Sequence, residues 1–182
     1  MQEEGTPVHN YVYSSEMVEF VKAANECCHF LEQLKGTEGK AFIAESLKHF
    51  AQLYALFLLT GESEPVFDSP PEPTVTEQEW SAVFNKIAGI LGPLNDILRI
   101  AAEDEFDRSE VVTHTISEDM ADVYQELRDF TVIYSRGLEE LMNDAAWELK
   151  VRFAEHWGMK LLRAMSALHM HFVAEVDPSQ EE

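Results

Sequence analysis

SEDMADVYQELRDFTVIYSRGLEELMNDAAWELKVRFAEHWGMKLLRAMSALHMHF, residues 117–172, is the stretch that decides the fold. Met120, Val123, Tyr124, Leu127, Phe130, Tyr134, Leu138 and Leu141 recur at intervals of three and four, the spacing that gathers side chains on one face of an α-helix. Ser117, followed by Glu118 and Asp119, opens that helix: the hydroxyl can cap free amides, and the acids sit at the positive end of the helix dipole. The period continues through Trp147, Phe153, Trp157, Leu161, Met165, Leu168 and Phe172. One helix over the whole of 117–172 would be far longer than globular helices run. The pattern therefore predicts a hairpin of two long helices that turns at Asn143-Asp144.

The same period runs through the N-terminal half. Ser14 and Ser15 with Glu16 form a helix start, and Met17, Phe20, Val21, Ala24, Cys28 and Leu31 line one face before Gly36 ends it. Thr37 opens a second helix, with Ile43, Leu47, Phe50, Ala51, Tyr54 and Leu58 as its apolar stripe and Thr60-Gly61 as its stop. A short turn makes the two antiparallel neighbours. Residues 61–75 hold Pro65, Pro70, Pro71 and Pro73 among acids, so they read as a long loop, pinned to the surface by Val66 and Phe67. Thr76 with Glu79 is a capping box for a helix marked by Trp80, Val83, Phe84, Ile87 and Leu91, which Pro93 stops or kinks near Gly92. Leu94, Ile97, Leu98 and Ala101 suit a further helical piece, whereas the acidic residues 103–110 and the β-branched run 111–116 read as irregular chain.

The resulting fold class is all-α, an antiparallel bundle of about five helices with one long Pro-rich connection. The 182 residues fit one helical domain, 1–182, containing the Pro-rich acidic loop 61–75 and an acidic tail, 174–182, that is expected to be disordered. Lys and Arg number 13 against 34 Asp and Glu, a formal charge of −21. Such a charge repels phosphate backbones and anionic lipid, so neither nucleic acid nor membrane is an expected partner. Met1-Gln2-Glu3-Glu4 lacks the basic start and apolar run of a signal peptide, and the longest apolar stretch, 53–59, is too short to span a bilayer. A cytoplasmic location is the expectation.

Few residues carry a chemical suggestion. Cys27 and Cys28 are adjacent and point different ways on a helix, so a bridge between them would be strained and both read as reduced thiols. Glu26-x-x-His29 has the spacing used by di-metal helical bundles, but at about 100° per residue both project away from the apolar stripe. No second motif of that kind occurs, and no cofactor is expected. His156, His169 and His171 crowd one helix yet project in different directions, as bundle-edge side chains do.

The most organised polar feature is the acid row Asp119, Asp122, Glu126 and Asp129, whose spacing of three, four and three collects four carboxylates on one side of a helix. It reads as a solvated face, as an interaction face for a basic partner, or as a weak magnesium site of the kind that all-α nucleotide pyrophosphatases build, with Glu16 and Glu19 on a second helix. No cluster of basic residues stands out beside it to receive a triphosphate. As a docking face, the row should tolerate neutralisation to Asn and Gln with folding intact or slightly improved, because like charges at helical neighbours destabilise.

Residues 117–127 (SEDMADVYQEL), Ala145-Ala146-Trp147-Glu148, His156-Trp157-Gly158 and Ala167-Leu168-His169, together with residues 19–31 (EFVKAANECCHFL), resemble a bacterial all-helical family catalogued only as a domain of unknown function. The resemblance spans nearly the whole chain, although residues 93–112 depart from the more aromatic pattern of the family. It implies a helical fold and carries over no catalytic residue. The expected function is a non-enzymatic helical interaction or adaptor module of a bacterial cytoplasm, binding a protein partner. The alternative is a metal-dependent hydrolase of phosphorylated small molecules that uses helix-borne carboxylates. The pattern specifies no oligomeric state.

Overall fold

Capping signals and apolar period place most of the helices where the sequence puts them. The computed structural model describes residues 7–100 and 111–174. Its helices are α1 (Pro7–Val12), α2 (Ser15–Glu32), α3 (Gly39–Phe57), α4 (Glu77–Leu91), α5 (Ile116–Tyr134), α6 (Glu139–Arg152) and α7 (Gly158–Val173). A two-stranded antiparallel hairpin, β1 (Asp96–Ile100) and β2 (Val111–Thr115), is inserted between α4 and α5. The expected irregular stretch 103–110 and the acidic tail beyond Ala174 lie outside the described residues. The molecule is a helical bundle, as the period predicts, and among the described residues no helix is long and apolar enough to cross a membrane.

The local chemistry explains the element ends. Ser14 caps α2 by accepting from the Met17 amide at 3.3 Å. Thr76 and Glu79 form the expected reciprocal box at α4, with the Thr76 amide donating to Glu79 Oε2 at 2.8 Å. These hydrogen bonds hold the Glu79 carboxyl below its ordinary pKa. Pro93 follows Gly92, whose φ of +50° ends α4, and a short 3₁₀ turn over Gly92–Asn95 leads into β1 rather than into another helix. The run 111–115 is a strand and not irregular chain, because β-branched Val and Thr favour an extended backbone and β1 supplies a partner in register Asp96↔Thr115 through Ile100↔Val111. Thr115, not Ser117, caps α5 through the Glu118 amide, at 3.2 Å. Buried Ser117 instead bonds Asn95: its amide donates to Asn95 Oδ1 and its Oγ accepts from Asn95 Nδ2, both at 2.9 Å.

The hairpin of long helices forms, but its turn is not at Asn143-Asp144. Gly137, with φ +71°, makes the turn in a left-handed conformation that costs glycine little, and α6 starts at Glu139 with Asn143 and Asp144 buried inside it. Between α6 and α7 the chain stays helical through one π turn, Phe153–Trp157. Gly158 is required there, since a methyl group at that position would lie 2.5 Å from the Phe153 carbonyl oxygen. The turn buries Trp157 fully, and its indole N–H donates to the Leu149 carbonyl at 2.9 Å.

Trp157 packs edge-on to Phe57 of α3 (5.0 Å) and to Phe153 (4.6 Å), while Phe57 meets Phe20 of α2 at 5.1 Å. Each such ring, fully buried, contributes on the order of 2 kcal/mol from area alone. Met17, Phe20, Ala24, Cys28 and Leu31 are buried on α2 as expected, joined by Ala23 and Cys27. On α3 the buried stripe is Phe42, Ile43, Ser46, Phe50, Leu53 and Phe57, rotated from the expected one, so Ala51 and Leu58 face solvent. The sequence offers α3 two adjacent apolar faces, and the neighbours choose between them.

Candidate functional site

The acid row is the most connected polar feature of the fold. Asp119 is 1% exposed and takes a two-pronged hydrogen bond from Arg163 of α7, Nε to Oδ2 at 2.9 Å and Nη2 to Oδ1 at 2.5 Å. One turn on, Asp122 binds the Lys160 ammonium and accepts from the Trp80 indole at 2.8 Å. Glu126, 7% exposed, is clasped by Arg152, with Nε to Oε2 at 2.6 Å, and His156 Nδ1 lies 3.5 Å from its other oxygen. The hydrogen bonds to Asp119 and Glu126 raise the pKa of Arg163 and Arg152 respectively. Asp129 closes the row differently: it accepts from the Thr74 amide, the Thr74 hydroxyl (2.8 Å) and the Val75 amide (2.7 Å).

The row is therefore the inner seam between α5 and the α6–α7 helix, not a solvated face. The basic residues that sequence reading missed are Arg152, Lys160 and Arg163, and a signal for them exists. Positions 163, 160, 156 and 152 step back by three, four and four while 119, 122 and 126 step forward by three and four, as an antiparallel helix pair requires. This geometry reverses the expectation for neutralisation. Removing these carboxylates leaves Lys160 and Arg163, both mostly covered, without their partners, so folding weakens instead of improving. The carboxylates that a metal-dependent hydrolase would use are taken up by these pairings, and Glu16 and Glu19 stand exposed on α2.

The Pro-rich connection is a strap across α5 and α6. Asp129 holds one end at Thr74 and Val75, and buried Asp144 holds the other, accepting from the Val66 and Phe67 amides at 2.7 and 2.8 Å. Asn143 adds a bond from Nδ2 to the Glu64 carbonyl at 2.8 Å. The pin is thus backbone on carboxylate, whereas the Val66 and Phe67 side chains remain about half exposed. Beneath the strap lies a cleft of about 240 Å³, roofed by Pro70, Pro71 and Pro73 and floored by Phe130, Ile133, Ala145 and Leu149. Glu126, Asp129, Glu148, Gln125 and Arg152 supply its polar edge, three carboxylates against one guanidinium.

A family model described as a domain of unknown function, DUF5063, matches residues 11–174. The chain belongs to this family. It is also similar to the crystal structure of protein BF1032 from Bacteroides fragilis, with 33% identity, 87% of this chain and 93% of that chain covered, and a TM-score of 0.78. No curated protein matches the sequence. The expected helical family is thereby shown, and it assigns no activity.

The other sequence candidates in this DUF5063 chain do not converge. Cys27 and Cys28 are unbridged and buried; burial pushes the Cys27 thiol up to about 12 and raises Cys28 as well, the reverse of the shift that activates a cysteine nucleophile. Glu26 and His29 are both exposed on α2. His171 Nε2 lies 3.1 Å from the Leu94 carbonyl, His156 faces Glu126, and His169 is exposed, so the three histidines occupy separate edges. Among the described residues, no three His, Cys, Asp or Glu side chains gather as a metal-binding group.

Proposed function

We propose that this DUF5063 chain is a non-enzymatic interaction module of the cytoplasm, and that the strapped cleft receives a basic side chain of a protein partner. The observation that carries the reading is Glu148, which edges the cleft one turn before Arg152 and, although its charge acts on Arg152, is in no close ion pair among the described residues, while every carboxylate of the row has a partner. Arg152 is already clasped by Glu126, so the edge keeps an excess of negative charge. Three prolines and Phe130 give an apolar slot that suits the aliphatic stem of Lys or Arg, with the cationic head at Glu148. At about 240 Å³ the space fits one such side chain better than a drug-sized ligand, whose pockets start near ~300 Å³. Cys27 and Cys28 as free thiols fit a reducing compartment.

Short peptides that differ only in carrying Lys, Arg or Glu test this, titrated into the labelled protein and followed by amide chemical shifts. The basic peptides should move the resonances of Phe130, Leu149 and the 70–75 segment, less so at high salt, and Glu148→Gln should remove the effect without changing the melt. Equal responses to the acidic peptide, or responses to the basic ones confined to other faces, would reject the cleft as the recognition site.

A further inference from the structure

The two ends of the proline-rich strap are held differently. At its start, Lys150 binds the Thr60 and Gly61 carbonyls, Asn143 bonds the Glu64 carbonyl at 2.8 Å, and Asp144 takes the Val66 and Phe67 amides on separate oxygens. Asp144 is buried and is not among the residues that line the cleft. At the far end all three bonds, from the Thr74 amide, the Thr74 hydroxyl and the Val75 amide, fall on Oδ1 of Asp129. Its Oδ2 accepts from no group among the described residues, although Asp129 lines the cleft. Arg152 feels the charge of Asp129 but gives its Nε and Nη2 to Glu126. Between the two ends, residues 68–73 (DSPPEP) make no hydrogen bond among the described residues, and three of them are prolines without an amide hydrogen. Beyond the strap, α4 is fixed independently by the Thr76–Glu79 box and by Trp80 on Asp122.

We infer that the strap is a clasp that hinges at Val66-Phe67, releases at Thr74-Val75, and is locked down when Asp129 shares the cation bound in the cleft. It rests on the reading of the cleft as a receptor for a basic side chain. Release breaks three hydrogen bonds to one half-buried carboxylate, and it lengthens the free span from residues 68–73 to 68–75 while the hinge and α4 stay in place. Lifting Pro70, Pro71 and Pro73, which roof the cleft, opens a way in for a long side chain. Locking follows from the two oxygens of Asp129. A carboxylate has acceptor room on both, so the strap on Oδ1 and an incoming cation on Oδ2 do not compete. The strap holds the carboxylate still, and a cation that meets an acceptor already oriented loses less freedom on binding. The coupling is reciprocal, so a cation that prefers the pinned Asp129 strengthens the pin by the same factor. Asp144, away from the cleft and with both oxygens taken, couples the hinge to nothing in it.

Hydrogen exchange of the full chain, followed at single amides with and without a saturating short peptide that carries one Arg or Lys, tests it. In the free chain the Thr74 and Val75 amides should exchange faster than those of Val66 and Phe67. The peptide should slow the first pair by about tenfold and leave the second pair unchanged. Thr74→Val removes only the hydroxyl bond and lies outside the cleft lining, and it should weaken the peptide by about fivefold. A peptide that shifts the Phe130 and Leu149 resonances but leaves exchange at Thr74 and Val75 unchanged overturns the clasp and keeps the cleft reading. Protection spread evenly from Val66 to Val75, or an affinity untouched by Thr74→Val, makes the strap a passive cover and also overturns it. No response of Phe130 and Leu149 to any basic peptide removes the cleft reading, and the clasp with it.

Discussion

The two flanks of α7, on either side of its buried stripe Leu161, Ala164 and Leu168, differ sharply. Toward α5 it presents Lys160 and Arg163, whose charged ends are drawn inward onto Asp122 and Asp119, and toward solvent it presents Met159, Leu162, Met170 and Val173. One flank covers charge by pairing it, and the other leaves apolar surface uncovered. The difference teaches that at the seam with α5 the covering of a side chain follows pairing. In a chain with 13 basic residues and 34 acidic ones, a cation is attractive to the fold wherever a carboxylate is already fixed, and α5 fixes four in a row. Among the described residues the outer flank meets no such partner, and its apolar side chains stay exposed.

The comparison breaks first at Arg163. Replacing it by Met leaves Asp119 buried and charged without a counterion, which should cost about 3 kcal/mol and lower the melting temperature by roughly 10 °C. Asp119→Leu together with Arg163→Met should recover most of that loss, because two apolar groups of similar size need no desolvated charge to be balanced. If Arg163→Met melts like the parent protein, the inner seam is no more structural than a surface ion pair.

A smaller effect is expected where the row meets the strap. Asp129→Asn keeps one acceptor but loses the charge that holds the Thr74 and Val75 amides, at a cost of about 1–2 kcal/mol. Hydrogen exchange at those two amides should quicken while that of the α2 and α5 cores hardly changes, since the strap can open by itself. Exchange that quickens everywhere alike would show that strap and bundle unfold as one unit.

The least effect belongs to the outer flank. Met159→Gln and Met170→Gln should change the unfolding free energy by less than about 0.5 kcal/mol, because both side chains are more than half exposed. A loss comparable to that of Arg163→Met would mean that the stripe is part of the core and would erase the contrast between the flanks.

Parts of this architecture are legible in the residues. Met120, Val123, Leu127 and Phe130 announce the buried face of α5, and Thr76 with Glu79 announces the start of α4, because helical period and capping are local properties of a few neighbouring residues. The turn after α5 is hidden from a local reading because Gly137 ends the helix within an apolar pattern that continues across it, while Asn143 and Asp144 look like turn residues but serve the strap from within α6. The β hairpin escaped a helical reading because each strand is five residues long and gains its hydrogen bonds from the other, which local propensity does not contain.

The sequence by itself determined that the chain is helical, where α2 and α4 begin, that the charge is strongly negative, and that Asp119, Asp122, Glu126 and Asp129 share a helix side. All of these follow from spacing along one segment. Only the tertiary structure decided which way those carboxylates face, which of the two apolar faces of α3 is buried, that Asp144 and Asp129 tie a proline-rich strap over a cleft, and that the apolar stripe of α7 stays outside. A helix can be rotated about its axis without altering its own hydrogen bonds, so its intrinsic pattern is silent on what lies opposite. That is set by the partners that arrive: Arg163 and Arg152 for the acids, Phe153 and Trp157 for α3, and none among the described residues for the outer flank of α7.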